Sequence, residues 1–186
     1  MKIKKEDAKL LADQAYRNGY DYLPRWRACA PTVFAAVMDT VGYDGDPVVQ
    51  EIWKAVIGLT GGTGNMSIGT CGAMAGAAAS VSYSFGYSMD DLRDITKMLA
   101  VNSAVAEVGE KMKARYGDIT CQEVQFKHWG KSFRLTDPRA LKEFAALTGG
   151  DDARTECREV TGDLARWAVE AIITYNPDFI KIQPPF

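Results

Sequence analysis

The chain has 186 residues, 47% of them hydrophobic and 25% charged, and its 22 basic against 24 acidic side chains leave a formal charge of -2. That length suits one domain with a real core, the composition excludes a disordered chain, and the near balance of charge lacks the basic footprint of a nucleic-acid binder. Met1 to Asp7 holds no apolar segment of signal-peptide length, and the most apolar run, Cys71 to Val81, is too short to span a bilayer. A soluble, cytoplasmic protein with neither nucleic acid nor membrane as partner is therefore expected.

In chain order, Ala8, Leu11, Ala12 and Ala15 recur at helical spacing from Lys5 to Tyr20, with Gly19 read as a stop. A second helix follows Pro31, its face made of Val33, Phe34, Val37, Met38 and Val41, and Pro47 opens a third that runs from Val48 to Leu59. Thr60 to Thr70 reads TGGTGNMSIGT and must be a loop, because its glycines resist helical order. A helix of small residues begins at Cys71 and reaches about Gly86. A long helix follows from Asp90 to about Tyr116, with Leu92, Ile95, Leu99 and Val105 spaced for burial. Cys121 opens a short segment, CQEVQF, after which HWGKSFRLTDP is irregular; helices from Pro138 to Leu147 and from Thr155 to Tyr175 close the chain. Gly149, Gly150, Asp151 and Asp152 read as a surface loop. Strand-type alternation is nearly absent, so the expected fold is all-α. It is a compact bundle of about six to seven helices in one domain, residues 1–186, with 176–186 an extended tail.

Cys29, Cys71, Cys121 and Cys157 each fall at an expected helix start. Thr70 precedes Cys71, Thr120 precedes Cys121 with Glu123 placed for a capping box, Cys29 lies two residues before Pro31, and Cys157 follows Thr155. A helix start offers unpaired N–H groups and the positive end of the dipole, which favour a thiolate or an anionic cluster. Thiols stay reduced in the cytosol, so metal ligation, catalysis and core packing all compete with one another, and a disulfide framework falls behind them. No two cysteines are close enough to form a CxxC pair, so a shared centre has to be assembled by the fold. His128 is the sole histidine, which excludes a multi-histidine site within one chain. The glycine loop lacks the lysine of a P-loop and the third glycine of a dinucleotide fingerprint; it reads as a place where backbone approaches something closely.

The context ACAPTVFAAV at Cys29, the run GGTGNMSIGTCGAMAGAAAS around Cys71, DITCQEV at Cys121 and TECREV at Cys157 resemble the four-cysteine pattern of the C_GCAxxG_C_C family of redox-active proteins. The likeness runs from about Tyr20 to Ala171, and here Cys71 precedes Gly72 where the family label puts glycine first. The pattern is also similar to part of the split-Soret cytochromes, whose iron–sulfur centre is carried over and whose haem-attachment motif this chain lacks. The resemblance implies an iron–sulfur redox or electron-transfer protein. Cys29, Cys71, Cys121 and Cys157 would be its metal ligands, Gly61, Gly62, Gly64, Gly69, Thr70 and Gly72 would line the cofactor, and a [2Fe–2S] cluster is preferred to [4Fe–4S]. Two alternatives stand beside it: a thiol–disulfide enzyme with Cys71 as a low-pKa nucleophile, and a structural zinc site with four cysteine ligands. The partner implied is a redox protein of unnamed kind, and the tail and the small-residue helix suit a homodimer. Helix starts converging beneath the Thr60 to Thr70 loop are the geometric expectation.

Overall fold

A computed structural model describes residues 3–148 and 155–181. Among them the architecture is all-α: α1 (Lys5–Trp26), α2 (Cys29–Thr40), α3 (Pro47–Ala55), α4 (Gly72–Ser84), α5 (Ile95–Tyr116), α6 (Cys121–Trp129), α7 (Pro138–Leu147) and α8 (Thr155–Tyr175). The helix beyond the expected six to seven is α6, of which the sequence suggested only the opening residues. Gly149 to Asp152 and the last residues of the tail lie outside the described part of the chain.

The centre of the molecule is α2. Ala30, Val33, Phe34, Ala36, Val37 and Met38 have no exposed surface, so this helix is apolar on all sides, as a helix enclosed by others must be. It packs against α1, α4 and α8, and α8 in turn contacts α1, α4 and α5. The approach of α4 to α2 depends on Gly76, where a Cβ would lie 2.2 Å from the carbonyl oxygen of Ala30. The small residues of α4 thus let two backbones meet, which a larger side chain would prevent.

Several expected boundaries move. Gly19 does not stop α1, which continues through Pro24 to Trp26. Gly19 is buried, with a Cβ position only 2.5 Å from the oxygen of Thr161, and it serves as the close contact with α8. Pro24 sits in the last turn, where its missing N–H leaves the carbonyl of Tyr20 without a helical donor; that oxygen accepts from Nε of Arg158 at 3.0 Å, and Leu23 beside Pro24 is buried. The long fifth helix starts at Ile95, capped by Asp94, whose carboxylate accepts from the N–H of Thr96 at 2.9 Å. Leu92, Ile95 and Leu99 are 52%, 56% and 53% exposed, contrary to expectation. The buried stripe of α5 begins only at Ala104 and continues through Val108, Met112 and Tyr116, the part that meets α4 and α8. After α8, Pro177–Phe179 forms a short 3-10 turn. Phe179 stacks on Tyr43 with ring centroids 4.5 Å apart, Ile180 is buried, and the N–H of Lys181 donates to the carbonyl of Val41 at 2.9 Å.

Candidate functional site

All four cysteines sit at helix starts: Cys29 and Cys121 are the first residues of α2 and α6, Cys71 is the N-cap of α4, and Cys157 lies in the first turn of α8. All are free thiols, and all four line one partly enclosed cavity of about 70 Å³. One water needs roughly 10–15 Å³, so this is room for a small polyatomic group.

Two of the helix starts are stitched together by backbone. Thr70 and Thr120 form an isolated antiparallel bridge; the N–H of Cys71 donates to the carbonyl of Ile119 at 2.7 Å, and the N–H of Cys121 donates to that of Gly69 at 3.0 Å. The repeated Thr–Cys dipeptide was the only trace of this pairing in the sequence. Cys29 is carried in on α2, two residues after Arg27, whose left-handed φ of 54° turns the chain from α1 into α2. Cys157 is held by α8, where Thr161, one turn later, donates its hydroxyl to the carbonyls of Cys157 and, across the helix interface, Gly19.

Over the cavity the glycine loop makes a left-handed turn. Gly61, Gly62, Thr63, Gly64 and Asn65 have φ values of 61°, 73°, 64°, 58° and 57° in succession. L-residues resist such a run by about 1–2 kcal/mol each, so three glycines in five positions are what make it affordable. The turn is closed by the N–H of Asn65 to the carbonyl of Thr60 and the N–H of Ser67 to that of Gly61, both at 2.9 Å. Gly61 lines the cavity and its N–H donates to the sulfur of Cys29. Gly62 is buried with a Cβ position 2.9 Å from Cβ of Cys121, and Gly69 lies against the carbonyl of Gly62. At Gly72 a Cβ would come within 2.3 Å of the Cys29 sulfur. Of the six residues expected to line the cofactor, Gly61 is on the cavity wall, whereas Gly62, Gly69 and Gly72 are not, and Gly64 and Thr70 are exposed away from it.

The electrostatics follow from burial against donors. Burial pushes the Cys29 thiol up, opposed by N–H groups of Gly61, Ala30 and Ala73. Cys71 is raised further, by burial first and then by the neighbouring Cys29 and Cys121, with N–H groups of Ala73 and Met74 opposing. Cys121 is pushed up to about 12 by burial and by Cys29 and Cys157. The sulfurs therefore feel one another across the cavity. The helix starts supply donors, but desolvation wins while the thiols are free. A low-pKa Cys71 nucleophile is the opposite of this result. Nor do three or more His, Cys, Asp or Glu side chains among the described residues group so as to hold a single metal ion, which a structural zinc site requires.

Three residues of the site have no motif of their own. Gln125, one turn after Cys121 and only 5% exposed, donates from Nε2 to the Cys121 sulfur at 3.3 Å and accepts from the N–H of Phe133 at 2.6 Å. Ser67, also buried, donates to the carbonyl of Phe133 at 2.5 Å. The hydroxyl of Thr60, on the cavity wall, is buried with no partner among the described residues. The i+4 position after a cysteine is the one signal that could have pointed to Gln125.

Four soft sulfur donors, N–H groups aimed at them, a glycine whose missing side chain leaves room beside Cys29 and an orphaned hydroxyl together fit a thiolate-ligated inorganic group. Such a group, if bound by Cys29, Cys71, Cys121 and Cys157, would require their thiolate form, which the same N–H donors would stabilise. In the comparisons with known proteins, the family model described as "Putative redox-active protein (C_GCAxxG_C_C)" matches residues 27–171. No curated protein and no solved structure matches the chain.

Proposed function

Because the chain belongs to the C_GCAxxG_C_C family, we propose that Cys29, Cys71, Cys121 and Cys157 hold one iron–sulfur centre, of [2Fe–2S] type, in a protein that transfers electrons. The observation that carries this reading is the single cavity with all four cysteines on its wall. Among the described residues no three His, Cys, Asp or Glu side chains form a group placed for a metal ion, so the reading rests on the shared cavity and on the family. When bound, such a centre takes up and gives back electrons one at a time. The chain's own part is to hold and shield it. Gly61, Gly62, Gly69 and Gly72 keep backbone close, N–H groups of Gly61, Ala73 and Met74 offset negative charge on sulfur, and Gln125 fixes Cys121. Free thiols in place of disulfides accord with a reducing, cytoplasmic setting. Residues 1–186 act as one domain in this reading, with a redox protein as partner.

The test is protein purified without oxygen, with iron and acid-labile sulfide counted per chain and absorption and EPR spectra recorded. The expected result is visible charge-transfer absorption and an EPR signal on one-electron reduction, with Cys71→Ser losing most of the iron while keeping its helical circular dichroism. A colourless protein that takes up neither iron nor sulfide on reconstitution sinks the reading.

A further inference from the structure

Residues 126–147 carry five basic residues, Lys127, Lys131, Arg134, Arg139 and Lys142, and two acidic ones, Asp137 and Glu143, although the chain as a whole is net acidic. All five cations are exposed. The segment comprises the last turn of α6, the connecting loop and α7, and an aromatic triad holds it together: Phe144 meets Trp129 at 5.1 Å and Phe133 at 5.3 Å between ring centroids. The carboxylates nearby are engaged locally. Asp137 accepts from the N–H of Arg139 at 2.8 Å as the cap of α7, and Glu143 pairs with Lys131. Apolar side chains interleave with the cations, Phe126 being 42%, Leu141 43% and Leu147 52% exposed.

The other side of this segment faces the cysteines. Leu135 and Phe144 line the four-cysteine cavity, and Phe133, 1% exposed, is tied by hydrogen bonds to Gln125 and Ser67. It is a wall, apolar inside and basic outside, one helix thick, or roughly 10 Å.

We propose that the outer face of residues 126–147 is the docking surface for an acidic electron-carrier protein, which exchanges one electron with the centre through this wall. The inference rests on the iron–sulfur reading above and names the kind of partner it requires. In the transfer the reduced carrier loses one electron and the centre gains it; no bond forms or breaks. A small patch mixing exposed cations with a few apolar side chains suits the low end of interface sizes, where electron-transfer encounters lie, and gives an association rate set by charge. A nucleic-acid backbone extending beyond the patch would meet the acidic remainder of the chain.

The test uses the loaded protein and a reduced, acidic plant-type ferredoxin in stopped flow. The wild-type rate is expected to fall steeply with ionic strength. The variant R134E/R139E/K142E is expected to lose 10- to 100-fold at low salt, with unchanged iron and sulfide per chain and unchanged reduction by dithionite. The control K9E/K54E/R93E, with the same charge change elsewhere on the surface, should stay within about threefold of wild type. Equal rates for the two triple variants, faster exchange with a basic cytochrome, or tighter binding of duplex DNA or anionic vesicles at the same patch would each overturn the proposal. Calorimetric binding of the ferredoxin to metal-free protein separates the two readings. Patch-dependent binding by a chain that never takes up iron keeps the surface and discards the centre, whereas a loaded chain with salt-independent exchange does the reverse.

Discussion

Gln125 joins three parts of the site through one amide: its Nε2 reaches the Cys121 sulfur and lies 3.4 Å from the hydroxyl of Ser67, and its Oε1 holds the N–H of Phe133. Gln125→Leu keeps the volume and removes every one of these bonds. It is expected to destabilise the metal-free protein by about 1–3 kcal/mol, because the Phe133 N–H is left buried and unpaired. In the loaded protein it should lower the reduction potential, since a donor to a ligating sulfur favours the more electron-rich state. Denaturant titration and potentiometry read the two effects separately. His128 illustrates burial outweighing nearby carboxylates: its pKa is depressed first by desolvation, against the opposing pull of Glu156 and Glu159, and its Nε2 has no partner among the described residues. The folded state then binds fewer protons than the unfolded one, so this group's contribution is intact above about pH 6.5. It is lost as pH falls from there through the lower folded value. His128→Phe keeps ring contacts of the kind made with Tyr116 and Trp129, and it should flatten the decline in melting temperature below pH 6.5.

Among the elements, the left-handed turn from Gly61 to Asn65 departs most from what a chain of L-residues prefers. Two of its glycines share positive φ and differ in surroundings: a Cβ at Gly62 would sit 2.7 Å from backbone of Ser67, whereas at Gly64 nothing lies within 4 Å. Gly64→Ala therefore carries backbone strain alone, about 1–2 kcal/mol, and Gly62→Ala adds overpacking of a further 1–3 kcal/mol. Equal denaturation midpoints for the two variants would contradict this account of the loop. The glycine content of the loop was legible in the sequence as close backbone approach. Its handedness was not, because Thr63, a β-branched residue, takes a left-handed φ that its own preference opposes and that the surrounding hydrogen bonds impose.

At the level of the whole molecule, a centre bound by four cysteines would tie together the starts of α2, α4, α6 and α8, which belong to segments far apart in the chain. Loading should raise the melting temperature, because the group binds the folded state and finds no preformed site in the unfolded one. Hydrogen exchange should show the largest gain in protection at those four helix starts and the adjoining turn; protection confined to α6 would argue that the remaining cysteines do not take part. By itself the sequence determined that the chain is helical, where most helices begin, and that the four cysteines stand at those beginnings. Capping residues, prolines and apolar periodicity are local signals that act within a turn or two. Only the tertiary structure decided that Gly19 is a contact and not a stop, that the first turns of α5 stay exposed, and that Gln125, Thr60 and the Thr70–Thr120 bridge belong to the site. Those facts depend on which helix lies across from which, and on a contest between desolvation and N–H donors at each sulfur that is settled only once the cavity exists.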